Sequence, residues 1–364
     1  MSAHSPMPRS AWIFPALAVL MFAAVSATGY VFTLTFGGLV FALVLLVILF
    51  GTVFAAVHHA EVIAERVGEP YGTLVLTLSV TIIEVALITT IMLGDKPAPA
   101  LARDTVFAVV MIVCNGLVGL CIFIGGLRYR EQGFQLSGAN VYLSVLFALA
   151  TITLIMPNYT TTTPGPVYSA VQLGFVDVVT LALYGVFLYT QTVLHKDYFI
   201  HERADGGSEA HLSARTFVLS VVLLLIALLA VVLLSKKFSL VVDAVAARIG
   251  APPAFAGLLV ALLILLPEGV AAVSAARKND LQKSINLALG SSLATIGLTI
   301  PAVGVATYAL DKELTLGLSG QGSVLLLLTF FLSMLTFGTG RTNVLFGLVH
   351  MVVFAVYVFM VFVP

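Results

Sequence analysis

The sequence predicts an all-α membrane protein of eleven transmembrane helices, arranged as one leading helix followed by two inverted five-helix repeats. Three observations predict it. Of 364 residues, 60% are hydrophobic and only 9% are charged, against about 45–50% apolar and about 25% charged in soluble globular chains, so most of the molecular surface must face lipid. Eleven apolar runs of about 17 to 25 residues stand between charged or Pro/Gly-rich breaks, each long enough to cross a bilayer as a helix. Finally, one polar pattern occurs twice, and the two copies sit at corresponding places among the runs.

In chain order the spans are Ala11 to Thr28, Phe32 to Val57, Tyr71 to Gly94, Thr105 to Gly126, Ala139 to Pro157 and Val167 to Leu194. After a polar loop come Thr216 to Ser235, Pro252 to Ala276, Lys283 to Tyr308, Thr315 to Thr336 and Thr342 to Val363. None alternates with period 2 and all exceed the ~10 residues of a barrel strand, so helices are required. The first run follows a single Arg9, with no small-residue cleavage site and polar mature domain behind it, and reads as a retained helix. Cys114 and Cys121 fall in one apolar stretch and read as small buried hydrophobes.

The repeated pattern is Glu61-Val-Ile-Ala-Glu65-Arg66-Val-Gly68-Glu69-Pro70 against Asp243-Ala-Val-Ala-Ala-Arg248-Ile-Gly250-Ala-Pro252, with acid, Arg, Gly and Pro in register. Each copy leads into an apolar helix holding one carboxylate, Glu84 or Glu268. The organisation follows: residues 1–31 carry the N-terminal tail and first helix, 32–194 the first five-helix repeat, 195–215 a cytoplasmic linker and 216–364 the second repeat. Five is odd, so the second copy enters from the opposite face, the signature of many secondary transporters. Loop cations set the orientation. With the N-terminus cytoplasmic, eleven of the 17 Lys and Arg residues fall inside and six outside, which favours that placement and puts the C-terminus outside.

Glu84 and Glu268 lie near the middle of their spans. A carboxylate at bilayer centre costs at least ~2.5 kcal/mol on insertion scales and marks a functional pathway by default; two at matched repeat positions sharpen that reading into a shared cation- and proton-binding pocket. Thr81 and Thr77, three and seven residues before Glu84, share its helix face. Pro267 removes an amide donor and frees the carbonyl of Leu263, so backbone oxygens are expected beside Glu268. The following helices add Asn115 in one half, and Ser291, Ser292 and Thr295 in the other, as further oxygen ligands. Glu61, Asp243, Asp177 and His58 are candidates for a vestibule or proton relay, with a solvated helix face as the plain alternative for Glu61 and its neighbours. His350 reads as a hydrogen-bonded packing residue. The linker mixes four acids, three bases and three histidines and identifies no metal site.

Absences narrow the function. The chain has no G-x-x-x-x-G-K-[ST] phosphate loop, H-E-x-x-H or G-x-S-x-G motif, so neither ATP nor the commonest hydrolase chemistries supply its work; an ion gradient remains. Lys plus Arg (17) equals Asp plus Glu (17), and no net field draws nucleic acid. No cofactor is expected. The expected partners are the lipid bilayer, protons and a hard cation served by oxygen, Ca²⁺, Na⁺ or K⁺; stoichiometry and oligomeric state stay open. A membrane subunit of a proton-pumping complex, or an intramembrane enzyme, is the alternative.

Together these residues resemble the calcium/proton antiporter branch of the cation/Ca²⁺ exchanger superfamily, and within it the ChaA-type sodium-potassium/calcium-proton antiporters. The resemblance covers nearly the whole chain. It is strongest at Ala60-Glu61 through Gly68 to Gly72 and into Glu84, at Leu266-Pro267-Glu268-Gly269 through Asn279-Asp280, and at Gly290-Ser291-Ser292. It implies that Glu84 and Glu268 bind the cation and exchange it for protons, in a bacterial inner (plasma) membrane, without enzymatic activity. Where the wider family has Gly-Asn ahead of each glutamate this chain has Val80-Thr81 and Ile264-Leu265, and Ala294 replaces a polar amide, which leaves room for monovalent cations.

Overall fold

The computed structural model describes residues 8–68, 71–93, 98–199 and 213–363. Among them eleven helices are long and apolar enough to cross a membrane: α1 (Ser10–Thr28), α2 (Phe36–Val67), α3 (Tyr71–Met92), α4 (Leu101–Tyr129), α5 (Leu136–Tyr159), α6 (Ala170–Leu194), α7 (Ala214–Ile249), α8 (Ala254–Arg277), α9 (Leu281–Ala309), α10 (Gly320–Phe337) and α11 (Val344–Phe362). The eleven spans expected from hydropathy are therefore present. Most of the linker, Glu69 and Pro70 of the repeat, and Lys96 lie outside the described residues.

Local chemistry explains where many of them begin. Thr35 accepts from Gly38 N–H ahead of α2, Ser213 from Thr216 N–H ahead of α7, Asp280 from Lys283 N–H ahead of α9, and Ser319 from Gly322 N–H ahead of α10. Ser169 and Gln172 close a reciprocal capping box on α6. Each satisfies an amide that would otherwise be orphaned at a helix start.

Two helices depart from expectation. The second and seventh spans were expected to end at Val57 and Ser235, but α2 continues to Val67 and α7 to Ile249. Hydropathy stops at the first charged residues, whereas the backbone stays helical because a buried stripe persists: Ala60 and Ile63 in α2, Val241 and Val242 in α7. Glu61 and Asp243 thus sit on helical extensions. At 32 and 36 residues the two helices are roughly 48 and 54 Å long, well beyond the ~30 Å hydrocarbon core. Both stop at the glycine matched in the repeat, Gly68 (φ 74°) and Gly250 (φ 65°), whose amides return to Ala64 and Ala246. The left-handed region that ends the helix is open to glycine without steric cost.

Contacts divide the chain into two compact units, residues 1–95 with 206–250 and residues 96–205 with 251–364. The first holds α1, α2, α3 and α7. There α2 packs along α7 and against α1 and α3. Buried His59 bonds the α1 carbonyl of Ala11 at 2.9 Å and Ser220 of α7 at 3.3 Å, and the Arg66 guanidinium lies 5.1 Å from the Phe217 ring centre. The end of α2 and the starts of α1 and α7 therefore share one face. Lys237 donates to Tyr30 O just beyond α1 (3.4 Å), which places the lower half of α7 at the opposite face.

The second unit is built around α4, buried continuously from Val106 to Val113 and packed on α8, α9 and α11. Gly257 of α8 lets the helices close onto the backbone of Asp104 and Thr105, where a Cβ would stand 2.8 Å away. The α4–α5 and α10–α11 links pair as two short antiparallel strands, β1 (Glu131–Gly133) and β2 (Arg341–Asn343), with Gln132 opposite Thr342. These two links must lie on one face, as an eleven-span count requires.

Candidate functional site

In the first unit Glu84 is 1% exposed. It stands 13 residues from the start of α3 and eight from its end, or about 20 and 12 Å along the axis. Thr81 is buried and Thr77 half-buried on the same face. Thr81 Oγ1 donates to Thr77 O (2.9 Å) and Ser79 Oγ to Val75 O (2.7 Å). These are the i−4 bonds that shield a hydroxyl proton in lipid while leaving the oxygen lone pairs available as acceptors.

In the second unit Glu268 is half-buried on α8. It lies 14 residues from Ala254 and nine from Arg277, or about 21 and 13 Å, a depth matching that of Glu84 in its own helix. The helix α8 runs unbroken through buried Pro267, which has no amide to donate to the carbonyl of Leu263; neighbouring helices tolerate a proline at membrane depth. Irregular backbone appears in the next helix of each half: a π-helical turn at Ile112–Leu117 carries Asn115, and another at Thr295–Thr299 begins with Thr295. Such bulges gather at functional sites. Ser292 and Thr295 are buried and Ser291 is half-buried.

Asn115 is fully buried and heavily committed. Its amide donates to Thr329 Oγ1 (2.8 Å), and its carbonyl lies 3.0 Å from His350 Nδ1, while His350 Nε2 is 2.9 Å from Thr336 Oγ1. His350 is thus a bonded interior residue, as expected, joining α4, α10 and α11. Sequence reading passed over Thr329, Ser333 and Thr336, all at most 1% exposed. Their spacing of four and three in an otherwise apolar span was the available signal.

The vestibule candidates spread out. Glu61 is exposed on the α2 extension and Asp243 half-buried on that of α7. Half-buried His58 borders a cavity of about 370 Å³ with Phe14, Gly51 and Ala55. Asp177 is 8% exposed on α6 and lies against α9, where a Cβ on Gly304 would come 2.6 Å from its Oδ2. Thr180, three residues on, is also fully buried. Among the described residues no three His, Cys, Asp or Glu side chains gather as a metal-holding cluster.

Comparison with known proteins adds to this geometry. The sodium/calcium exchanger protein family matches residues 36–193 and 219–363, which spans ten of the eleven helices. The y4hA protein of Sinorhizobium fredii (strain NBRC 101917 / NGR234) is 45% identical over 365 residues, covering 100% of this chain and 98% of its own. The sodium-potassium/proton antiporter ChaA of Escherichia coli (strain K12) is 39% identical over 325 residues, covering 88% of each chain. The solved structure of the Ca²⁺/H⁺ antiporter protein YfkE superposes with a TM-score of 0.72 at 17% identity, over 98% of this chain and all of that one, a likeness of fold.

Proposed function

The chain belongs to the sodium/calcium exchanger protein family, and from that premise we propose that it is a secondary antiporter exchanging Ca²⁺ and/or Na⁺ and K⁺ for protons. It is a multi-pass membrane protein, a transporter and not an enzyme. The proposed setting is the bacterial inner membrane, with the N-terminus cytoplasmic and the C-terminus outside. One observation supports the reading: Glu84 stands 13 residues into α3 and Glu268 14 residues into α8, the two helices that follow the matched Arg, Gly and Pro of the sequence repeat.

In the proposed cycle the two glutamates lose protons toward one side of the membrane and take up a cation. The protein then changes which side has access, and returning protons displace the cation. Thr77, Thr81, Ser291, Ser292 and Thr295 offer neutral oxygens, with Asn115 in the same role through its carbonyl. Oxygen of this kind suits hard cations. Asp177, Glu61, Asp243 and His58 are proposed for the approach of ion or proton. The two carboxylates should titrate as a coupled pair, since binding one cation and releasing protons links their states.

Everted vesicles containing the chain, loaded with a pH-sensitive dye and challenged with each cation in turn, test this. Wild type should collapse the proton gradient on cation addition, and Glu84→Gln and Glu268→Gln should each abolish the response while still inserting in the membrane. Undiminished exchange in both variants would remove the glutamates from the mechanism.

A further inference from the structure

We propose that the second unit holds an anionic phospholipid in a groove between α4, α8 and α11. The groove encloses about 1140 Å³. Its lining is mostly apolar, with Leu117, Leu120, Leu266, Val270, Val273 and Phe354, and includes Gly116 and Gly269. A Cβ on Gly116 would press on the Phe354 ring at 3.3 Å, and one on Gly269 would meet Leu117 at 3.8 Å, so glycine at both positions keeps larger side chains out of the lining. Along α8 the groove runs from Leu262 to Lys278, about 24 Å at 1.5 Å per residue, long enough for an acyl chain in one ~15 Å leaflet with its headgroup above.

One end is cationic. Arg128, Arg277 and Lys278 line it, all exposed, and no carboxylate is among the lining residues. Arg128 spends one N–H on Arg277 O (3.3 Å) and stacks beside Tyr129, 5.4 Å from the ring centre, which orients its guanidinium and leaves further donors for phosphate oxygens. Three cations at the mouth of an apolar channel form the complement of a phosphate head on a hydrocarbon tail, and basic pockets between membrane helices recognise such lipids. A second copy of this chain fits less well, because a two-fold contact through the same patch would set like charges against each other. Free phosphate would have no use for the apolar channel.

Native mass spectrometry of the purified full chain in detergent, mixed with phosphatidylglycerol or phosphatidylcholine, reads the site directly and does not depend on transport. Wild type should retain phosphatidylglycerol in preference to phosphatidylcholine. Lys278→Gln should lower that preference about fivefold, and Arg277→Gln with Lys278→Gln about 25-fold, at roughly a fivefold loss per cation removed near a lipid phosphate. Ala355→Trp, which fills the groove from α11, should reduce retention of both lipids. Equal retention of the two lipids by wild type would overturn the proposal. So would an unchanged preference in the double variant, or a dimer that Ala355→Trp splits while lipid retention persists.

Discussion

Replacing Gly347 by alanine should loosen the second unit at the seam between α4 and α11. A Cβ at Gly347 would lie 2.6 Å from the backbone nitrogen of Phe123 and 2.8 Å from the carbonyl oxygen of Gly119, against an ordinary contact of at least 3.4 Å. Both obstacles are backbone, so no rotamer change relieves them and the helices must part by roughly 0.8 Å. Overpacking of this kind costs about 1–3 kcal/mol. The same seam carries His350, whose Cβ is where a side chain on Gly119 would strike, at 2.9 Å. Parting the helices stretches the 3.0 Å contact between His350 and Asn115 past hydrogen-bonding range, adding about 0.6–1.7 kcal/mol by membrane-protein values. Helix propensity returns about 0.5–1 kcal/mol for Gly→Ala. The net loss of about 1–4 kcal/mol should lower the unfolding midpoint in detergent, followed by circular dichroism. Gly174→Ala on α6, which meets nothing within 4 Å, should melt at or slightly above wild type. A Gly347→Ala midpoint equal to wild type, or an equal fall in Gly174→Ala, would refute the packing argument.

Three further outcomes are expected. His350→Ala leaves the buried Asn115 Oδ1 and Thr336 Oγ1 without this partner and should cost about 1–3 kcal/mol in the same melt; His350→Gln, which can bond one of them, should recover part of it. Gly250→Ala faces open space, so its penalty is conformational alone, about 1–2 kcal/mol for a left-handed alanine, with Gly250→Asn milder in parallel melts. Cys114 and Cys121, each 1% exposed and unbridged, should resist a water-soluble maleimide in the native protein and both react in SDS, as read by intact mass.

The spans were legible because lipid imposes one rule, length of apolar run, and the run needs no knowledge of its neighbours. The same rule misplaced the ends of α2 and α7, since hydropathy reports what lipid accepts and not where a helix stops. The glycines reported the stop: Gly68 and Gly250 were matched in the repeat and both hold positive φ. The carboxylates were legible as exceptions to an apolar background, and their equal depth follows from the register of the repeat. The Asn115–His350 link was not legible. It joins residues 235 positions apart, and an almost uniformly apolar helix gives no phase from which to tell which side faces a partner. The π-helical turns were not read from the sequence either: besides those in α4 and α9, two more interrupt α5 and α6 at Thr151–Ile155 and Thr190–Leu194.

The repeat is symmetric in sequence but not in packing. In the first half the glutamate-bearing helix α3 belongs to one compact unit with α1, α2 and α7, whereas its counterpart α8 belongs to the other with α4, α9 and α11. Glu84 and Glu268 are therefore held by different units. Each unit is braced internally across its helices, the first through His59 with Ser220 and Ser235 with Thr90, the second through Asn115 with Thr329 and His350. Bracing of that kind favours motion of a unit as a body over deformation within it. The bracing keeps Glu84 with Thr77 and Thr81 in one body and Glu268 with its own neighbours in another, so no helix has to melt for the protein to change state in the proposed exchange cycle; a cation can drive such a change only through unequal affinity for the two states.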